Sequence, residues 1–146
     1  MYKSILIPTD GSAFATKGVE AGLALAAALG AKTSLLMVTE DIPTYAGLDG
    51  AAFSVAFADF DSSQAERAAA VLAAAKQMAD AAGVATTTHH VSRSQPAEAI
   101  LATAQGQGCD LIVMASHGHR GVKRLLLGSQ TAEVLAHAAI PVLVVP

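Results

Sequence analysis

Residues 111–132 read Leu-Ile-Val-Met-Ala-Ser-His-Gly-His-Arg-Gly-Val-Lys-Arg-Leu-Leu-Leu-Gly-Ser-Gln-Thr-Ala: an apolar strand, a glycine-punctuated basic loop and a helix start in one continuous run. No Asp or Glu interrupts it. Arg120, Lys123 and Arg124 concentrate three of the chain's nine Lys/Arg residues in five positions, and the nearest acids, Asp110 and Glu133, lie just outside the loop. Gly118 and Gly121 let main-chain N–H groups approach a ligand closely, and Gly128-Ser129 opens a helix whose first donors have no intrahelical partner. A phosphate fits such a helix start. The stretch therefore reads as a strand-helix unit carrying an anion site between its two elements.

The same grammar recurs on either side. Ser4-Ile5-Leu6-Ile7 is a short buried strand stopped by Pro8; Ser12 is a candidate N-cap for a helix running to about Leu29, and Gly30 is its stop. Ser34–Val38 is a second apolar strand, and Val84–Val91 a third, made polar by Thr86, Thr87, Thr88, His89 and His90. Asp110–Ala115 and Pro141–Val145 are the fourth and fifth. Helical spacing of Ala68, Val71, Leu72, Ala75, Met78, Ala79 and Ala82 predicts a helix over Ser62–Ala82. Pro96 suits the first turn of another that ends near Gly106, and the last helix spans about Ser129–Ala138. Residues 41–61 fit none of these elements. They mix Pro43, Gly47 and Gly50 with Tyr45, Leu48, Val55 and every Phe but Phe14, a pattern expected of a crevice lid or of part of an interface.

Alternation of strands and helices with right-handed crossovers predicts an α/β fold: a doubly wound, five-stranded parallel sheet of order 3-2-1-4-5 with helices on both faces. In that order the chain reverses its direction across the sheet between strands one and four. The loops leaving their carboxyl ends, 8–12 and 115–128, should face one crevice, where ligands bind in such sheets. Strand three is polar enough for a solvated edge, but Val142, Leu143, Val144 and Val145 are too apolar for the other edge to stay unpaired. A homodimer through this last strand is the expected remedy.

Composition bounds the rest. A chain of 146 residues is expected to form one domain with its own core. A net charge of -3 gives no general attraction to nucleic acid or an anionic membrane, so the basic cluster reads as a local site. The single Cys109 cannot form an internal disulfide, and Met1-Tyr2-Lys3-Ser4 leads straight into a strand without a signal-peptide pattern. The longest apolar stretch, Ala21–Leu29, is too short to span a membrane. A cytoplasmic protein is expected.

Ile5-Leu6-Ile7-Pro8-Thr9-Asp10-Gly11-Ser12, Pro96-Ala97-Glu98-Ala99-Ile100, Asp110-Leu111-Ile112-Val113-Met114, Ser116-His117-Gly118, Leu125-Leu126-Leu127-Gly128-Ser129 and Pro141-Val142-Leu143-Val144-Val145, in this order, resemble the universal stress protein (UspA-like) family along the whole chain. The ATP-binding branch of that family carries G-x2-G-x9-G-S/T. Gly118, nine residues, then Gly128-Ser129 match the second and third elements, whereas Ala115 stands in place of the first Gly and adds one methyl where the base would lie. If that position needed positive φ, the methyl would also strain the backbone.

The resemblance implies a Rossmann-like, adenine nucleotide alpha hydrolase-like fold, with ATP or another adenine nucleotide and Mg²⁺ as ligands. It implies Asp10 near the ribose and a phosphate-bound Mg²⁺; Pro8, Thr9, Val38, Met114 and Ala115 around the base; and Gly118, Gly128, Ser129, Gln130 and Thr131 at the phosphates. Arg120 could add charge-assisted bonds there. The implied role is nucleotide-dependent regulation of a stress response with an unknown regulatory protein as partner.

Two alternatives stand beside this reading. One is a dimeric interaction module of the same family in which Ala115 closes the base site. The other is a slow ATPase, since only Asp10, His117 or His119 could orient water near the crevice. Efficient turnover is not expected: the chain has no P-loop, no G-x-G-x-x-G after a strand and no nucleophile elbow. His117 and His119 lack the companions of a metal site, Lys123 and Arg124 read more naturally as a solvated face, and Cys109 and His89-His90 as structural.

Overall fold

Why Ile5, Leu6 and Ile7 form a strand with no polar face becomes clear in the computed structural model, which describes residues 1–41, 50–118 and 126–146: all three are completely buried at the centre of the sheet. Five parallel strands, β1 (Ser4–Pro8), β2 (Lys32–Val38), β3 (Thr86–Val91), β4 (Leu111–Ala115) and β5 (Val142–Val145), take the order β3-β2-β1-β4-β5. Four helices alternate with them: α1 (Ala13–Leu29), α2 (Gly50–Ala81), α3 (Pro96–Gly106) and α4 (Ser129–His137). This is the predicted doubly wound topology.

Successive side chains of a strand point to opposite faces, so each central strand feeds two cores. On one face Ile5, Ile7, Leu35, Met37 and Val113 meet Val19, Leu23 and Ala26 of α1 and Ala68, Leu72 and Ala75 of α2. On the other, Leu6, Leu36, Ile112 and Met114 meet Ala97, Ile100 and Ala104 of α3 and Val134 of α4. Glycine brings α1 unusually near the sheet. A Cβ on Gly22 would lie 2.6 Å from Ile7 Cδ1, and one on Gly18 3.0 Å from the main-chain nitrogen of Ala115.

Helix ends follow the local signals. Ser12 accepts the Ala15 N–H and caps α1, while Gly30 ends it in the left-handed conformation at φ 66°. Strand β3 is a polar edge tied to β2 by side-chain hydroxyls, Thr33 with Thr86 at 2.6 Å and Ser34 with Thr87 at 3.3 Å. At the opposite edge β5 pairs, among the described residues, only with β4, and Leu143 remains 43% exposed.

One expectation is corrected. Residues 50–61 are not a structureless connection: α2 begins at Gly50, twelve residues before Ser62, and runs for 32 residues. From Ala51 to Ala82 there is neither Gly nor Pro, and the Ala-rich sequence favours continuation of the helix. The buried stripe begins only at Ala68, so the amino-terminal half carries no core periodicity to reveal it. Arg93 in the β3–α3 loop contacts it: the guanidinium lies 4.7 Å from the Phe57 ring centroid and Nε is 3.9 Å from Asp61 Oδ1. The other part of that segment, residues 42–49, lies outside the described residues, as does 119–125 with His119, Arg120, Lys123 and Arg124.

Candidate functional site

A cavity of about 430 Å³ opens at the carboxyl ends of the central strands, where β1 and β4 lie side by side and the chain reverses its direction across the sheet. Pro8, Thr9 and Asp10 reach it from β1, Val38 from β2, and Met114, Ala115 and Gly118 from β4 and its following loop. Gly128, Ser129, Gln130 and Thr131 reach it from the start of α4. Of the nucleotide-binding residues that the family resemblance implies, Arg120 falls outside the described part of the chain, as do Gly121 and His119.

Each wall has a local cause. Thr9 is held on β2 by its N–H, which donates to Leu36 O at 2.8 Å, and its hydroxyl accepts the Gly11 N–H at 3.2 Å. Asp10 Oδ1 accepts the Ser12 N–H at 2.9 Å, turning the chain into α1. The second carboxylate oxygen lies so near Gly118 that a Cβ there would be 2.6 Å from it. Across the crevice, Gly128 N–H donates to Ser116 O at 2.8 Å, and a Cβ on Gly128 would meet that same oxygen at 3.1 Å. Glycine at 118 and 128 thus lets two chain segments and a carboxylate converge where any side chain would intrude.

The start of α4 has no side-chain cap: Gly128 is the N-cap, and its lack of a side chain leaves the first amides facing the crevice without a competing oxygen on the cap residue. Two side chains predicted there are engaged elsewhere. Thr131 Oγ1 donates to Ala115 O at 3.0 Å and is also 3.3 Å from Ser116 O. Gln130 Oε1 accepts the Ala97 N–H at 3.0 Å and the Gln95 Nε2–H at 2.9 Å, holding the start of α3. The side-chain oxygens of Gln130 and Thr131 are therefore engaged with α3 and with the end of β4.

Ala115 is buried, ends β4 in register with Val145, and does not have positive φ; among the described non-glycine residues only Arg93 does. The methyl group thus carries no backbone strain. His117 Nδ1 is 2.9 Å from Ser116 Oγ, and its ring lies 5.9 Å from that of Phe14. No cluster of three or more His, Cys, Asp or Glu suited to a metal ion occurs among the described residues.

The cavity also has walls that sequence reading did not include. Thr39 and Glu40 follow β2, a strand adjacent to the switch point, so the rule that selected the β1 and β4 loops could have found them. Pro96 and Ile100 of α3 add apolar surface. Gln64 and Arg67 come from α2, and Arg67 Nη2 donates to Asp10 O at 3.1 Å. Nothing in the local sequence of a long helix indicates which loop it will cover.

The fold and crevice define a doubly wound α/β protein whose strand ends form a cleft with apolar and polar walls at the switch point. The family model for universal stress proteins matches residues 1–146, and the chain belongs to the universal stress protein family. It is 37% identical over 145 residues to the universal stress protein in the QAH/OAS sulfhydrylase 3' region of Thermus aquaticus, covering 99% of both chains. Among solved structures it is similar to hypothetical protein MJ0577 of Methanocaldococcus jannaschii, with a TM-score of 0.84 at 29% identity over 99% of this chain and 96% of that one. A universal stress protein solved in complex with cAMP has a TM-score of 0.70 at 25% identity, over 99% and 97% of the two chains. No described helix is long and apolar enough to cross a membrane.

Proposed function

We propose that the crevice binds an adenine nucleotide, ATP with Mg²⁺, and that the chain acts as a nucleotide-dependent regulator in a stress response. The observation that carries this reading is the division of one cavity into two chemical halves. Val38, Met114, Pro96 and Ile100 give an apolar slot suited to a base, while Gly118, Gly128 and the first amides of α4 give a backbone cradle suited to phosphates. The cAMP complex of a similar universal stress protein supports the choice of an adenine ligand.

Asp10 fits a nucleotide-bound cation, because Mg²⁺ on a nucleotide needs only one or two protein carboxylates beside the phosphate oxygens. Asp10 is positioned for that by the Ser12 amide and by the gap at Gly118. When bound, Mg²⁺ would neutralise phosphate charge next to this carboxylate. The Ser12 bond fixes the carboxylate's orientation, and the cradle at α4 holds the anion without a proton-transfer group.

The deciding experiment is calorimetric titration of the nucleotide-stripped protein with ATP·Mg²⁺, AMP, cAMP and GTP. Saturable binding with ATP preferred over AMP and GTP is expected; absence of binding to all four would reject the nucleotide reading. If Ala115 closes the base site instead, Ala115→Gly will bind ATP where the natural protein does not.

A further inference from the structure

The helix that sequence reading left out of the crevice grips the loop that carries Asp10. Gln64, Arg67 and Val71 lie three and four residues apart on α2 and so share one helix face. Its rotation is set by Ala68, which is fully buried, and by Leu72. Val71 packs against Gly11, where an added Cβ would come within 2.8 Å of Val71 Cγ2, and one turn earlier Arg67 donates to the main-chain oxygen of Asp10 at 3.1 Å. Arg67 and Gln64 both line the cavity. Among the described residues that do so, Arg67 is the only Arg or Lys, whereas Asp10 and Glu40 are both acids.

This charge arrangement poses a physical problem for any phosphate-bearing ligand. An anion entering between Asp10 and the α4 cradle meets a carboxylate of like sign, a contact that a nucleotide-bound Mg²⁺ or a nearby guanidinium would offset. A guanidinium offers five N–H donors in a planar fork, enough to hold a carbonyl and a phosphoryl oxygen together.

We propose that Arg67 contributes to selection of the ligand's charge class: placed by α2 beside Asp10, it favours a polyanion, a nucleoside polyphosphate, over the uncharged nucleoside. This inference rests on the nucleotide reading above for the base, but not for the anion. Arg67 also positions the Asp10 loop, so its electrostatic role has to be separated from a structural one.

The test compares the natural protein with Arg67→Gln, which keeps a donor for the Asp10 carbonyl but no charge, and Arg67→Lys, which keeps the charge without the fork. Each is titrated calorimetrically with ATP, adenosine and inorganic tripolyphosphate at low and high salt, with thermal unfolding as a check on folding. Loss of a charge-assisted contact is expected to weaken ATP and tripolyphosphate by about tenfold or more in Arg67→Gln, with adenosine unchanged and Arg67→Lys intermediate. The salt dependence of ATP binding should be shallower in Arg67→Gln than in the natural protein. Equal weakening of ATP and adenosine, or unaltered ATP binding, overturns the proposal. Should tripolyphosphate bind in an Arg67-dependent manner while ATP binds no tighter than it and adenosine not at all, the adenine reading fails and the role of Arg67 stands. If no probe binds, both fail.

Discussion

Two aspartates at opposite ends of neighbouring strands illustrate how position decides the use of a carboxylate. Asp110, just before β4, accepts the Lys3 N–H at 2.9 Å and the Ser4 N–H at 3.1 Å and so latches the start of β1 to β4. Partial burial raises its pKa, but the amides of Lys3, Ser4 and Asp110 itself outweigh that and hold it below the ordinary carboxylate value. A depressed native pKa means that the ionised form is favoured by folding. The contribution is full above the ordinary carboxylate pKa and is lost as pH falls through the native one. Asp110→Asn is therefore expected to lower stability by about 1 kcal/mol or less at neutral pH, with the gap to the natural protein closing below about pH 4. Urea unfolding of both proteins across pH 2–7 measures this, and a gap independent of pH would contradict it. Asp10, by contrast, turns its carboxylate toward Gly118 and the cavity. Each is an acid at a strand boundary, and the end of the strand it occupies together with its partners distinguishes latch from crevice wall.

At the scale of elements, the crevice is held by a cross-link between the first turns of two successive helices. The Gln130 side chain joins the first turn of α4 to that of α3, where Gln95 also accepts the Glu98 N–H at 2.8 Å. Gln130→Ala removes an acceptor from the Ala97 amide and is expected to cost about 0.5–1.5 kcal/mol of stability. Because the amide of residue 130 survives the change, nucleotide affinity should fall by less than about threefold, under 1 kcal/mol. Chemical denaturation and calorimetry on the same variant test both halves, and a large affinity loss with unchanged stability would return the Gln130 side chain to the phosphate site. The elements themselves were legible where signals were strong: Ser12 and Gly30 bracket α1, and Pro96 opens α3. The amino-terminal half of α2 was not legible, because a helix that buries nothing until Ala68 has no apolar stripe to read.

At the scale of the molecule, the two sheet edges differ. The hydroxyl-rich β3 can face water, whereas β5 is short, apolar and partnered on one side only, with Leu143 43% exposed. Pairing of β5 with a second copy is the arrangement we propose for solution, and Leu143→Lys is expected to shift the protein from dimer to monomer in sedimentation velocity. A monomeric natural protein, or a Leu143→Lys variant that stays dimeric, would place any interface elsewhere. Resemblance to the family implied most of the crevice wall, and the sequence by itself determined the strand order, the α1 caps and the switch point. Those features follow from local rules: buried parallel strands read as apolar runs, helices need capping and stopping residues, and crossovers are right-handed. Only the tertiary structure decided that α2 covers the Asp10 loop, that Arg67 joins Glu40 and Asp10 at one cavity, and that Gln130 turns its side chain to α3. These are contacts between residues dozens of positions apart. They depend on how a helix is rotated on the sheet, and no local pattern around Arg67 or Gln130 encodes that rotation.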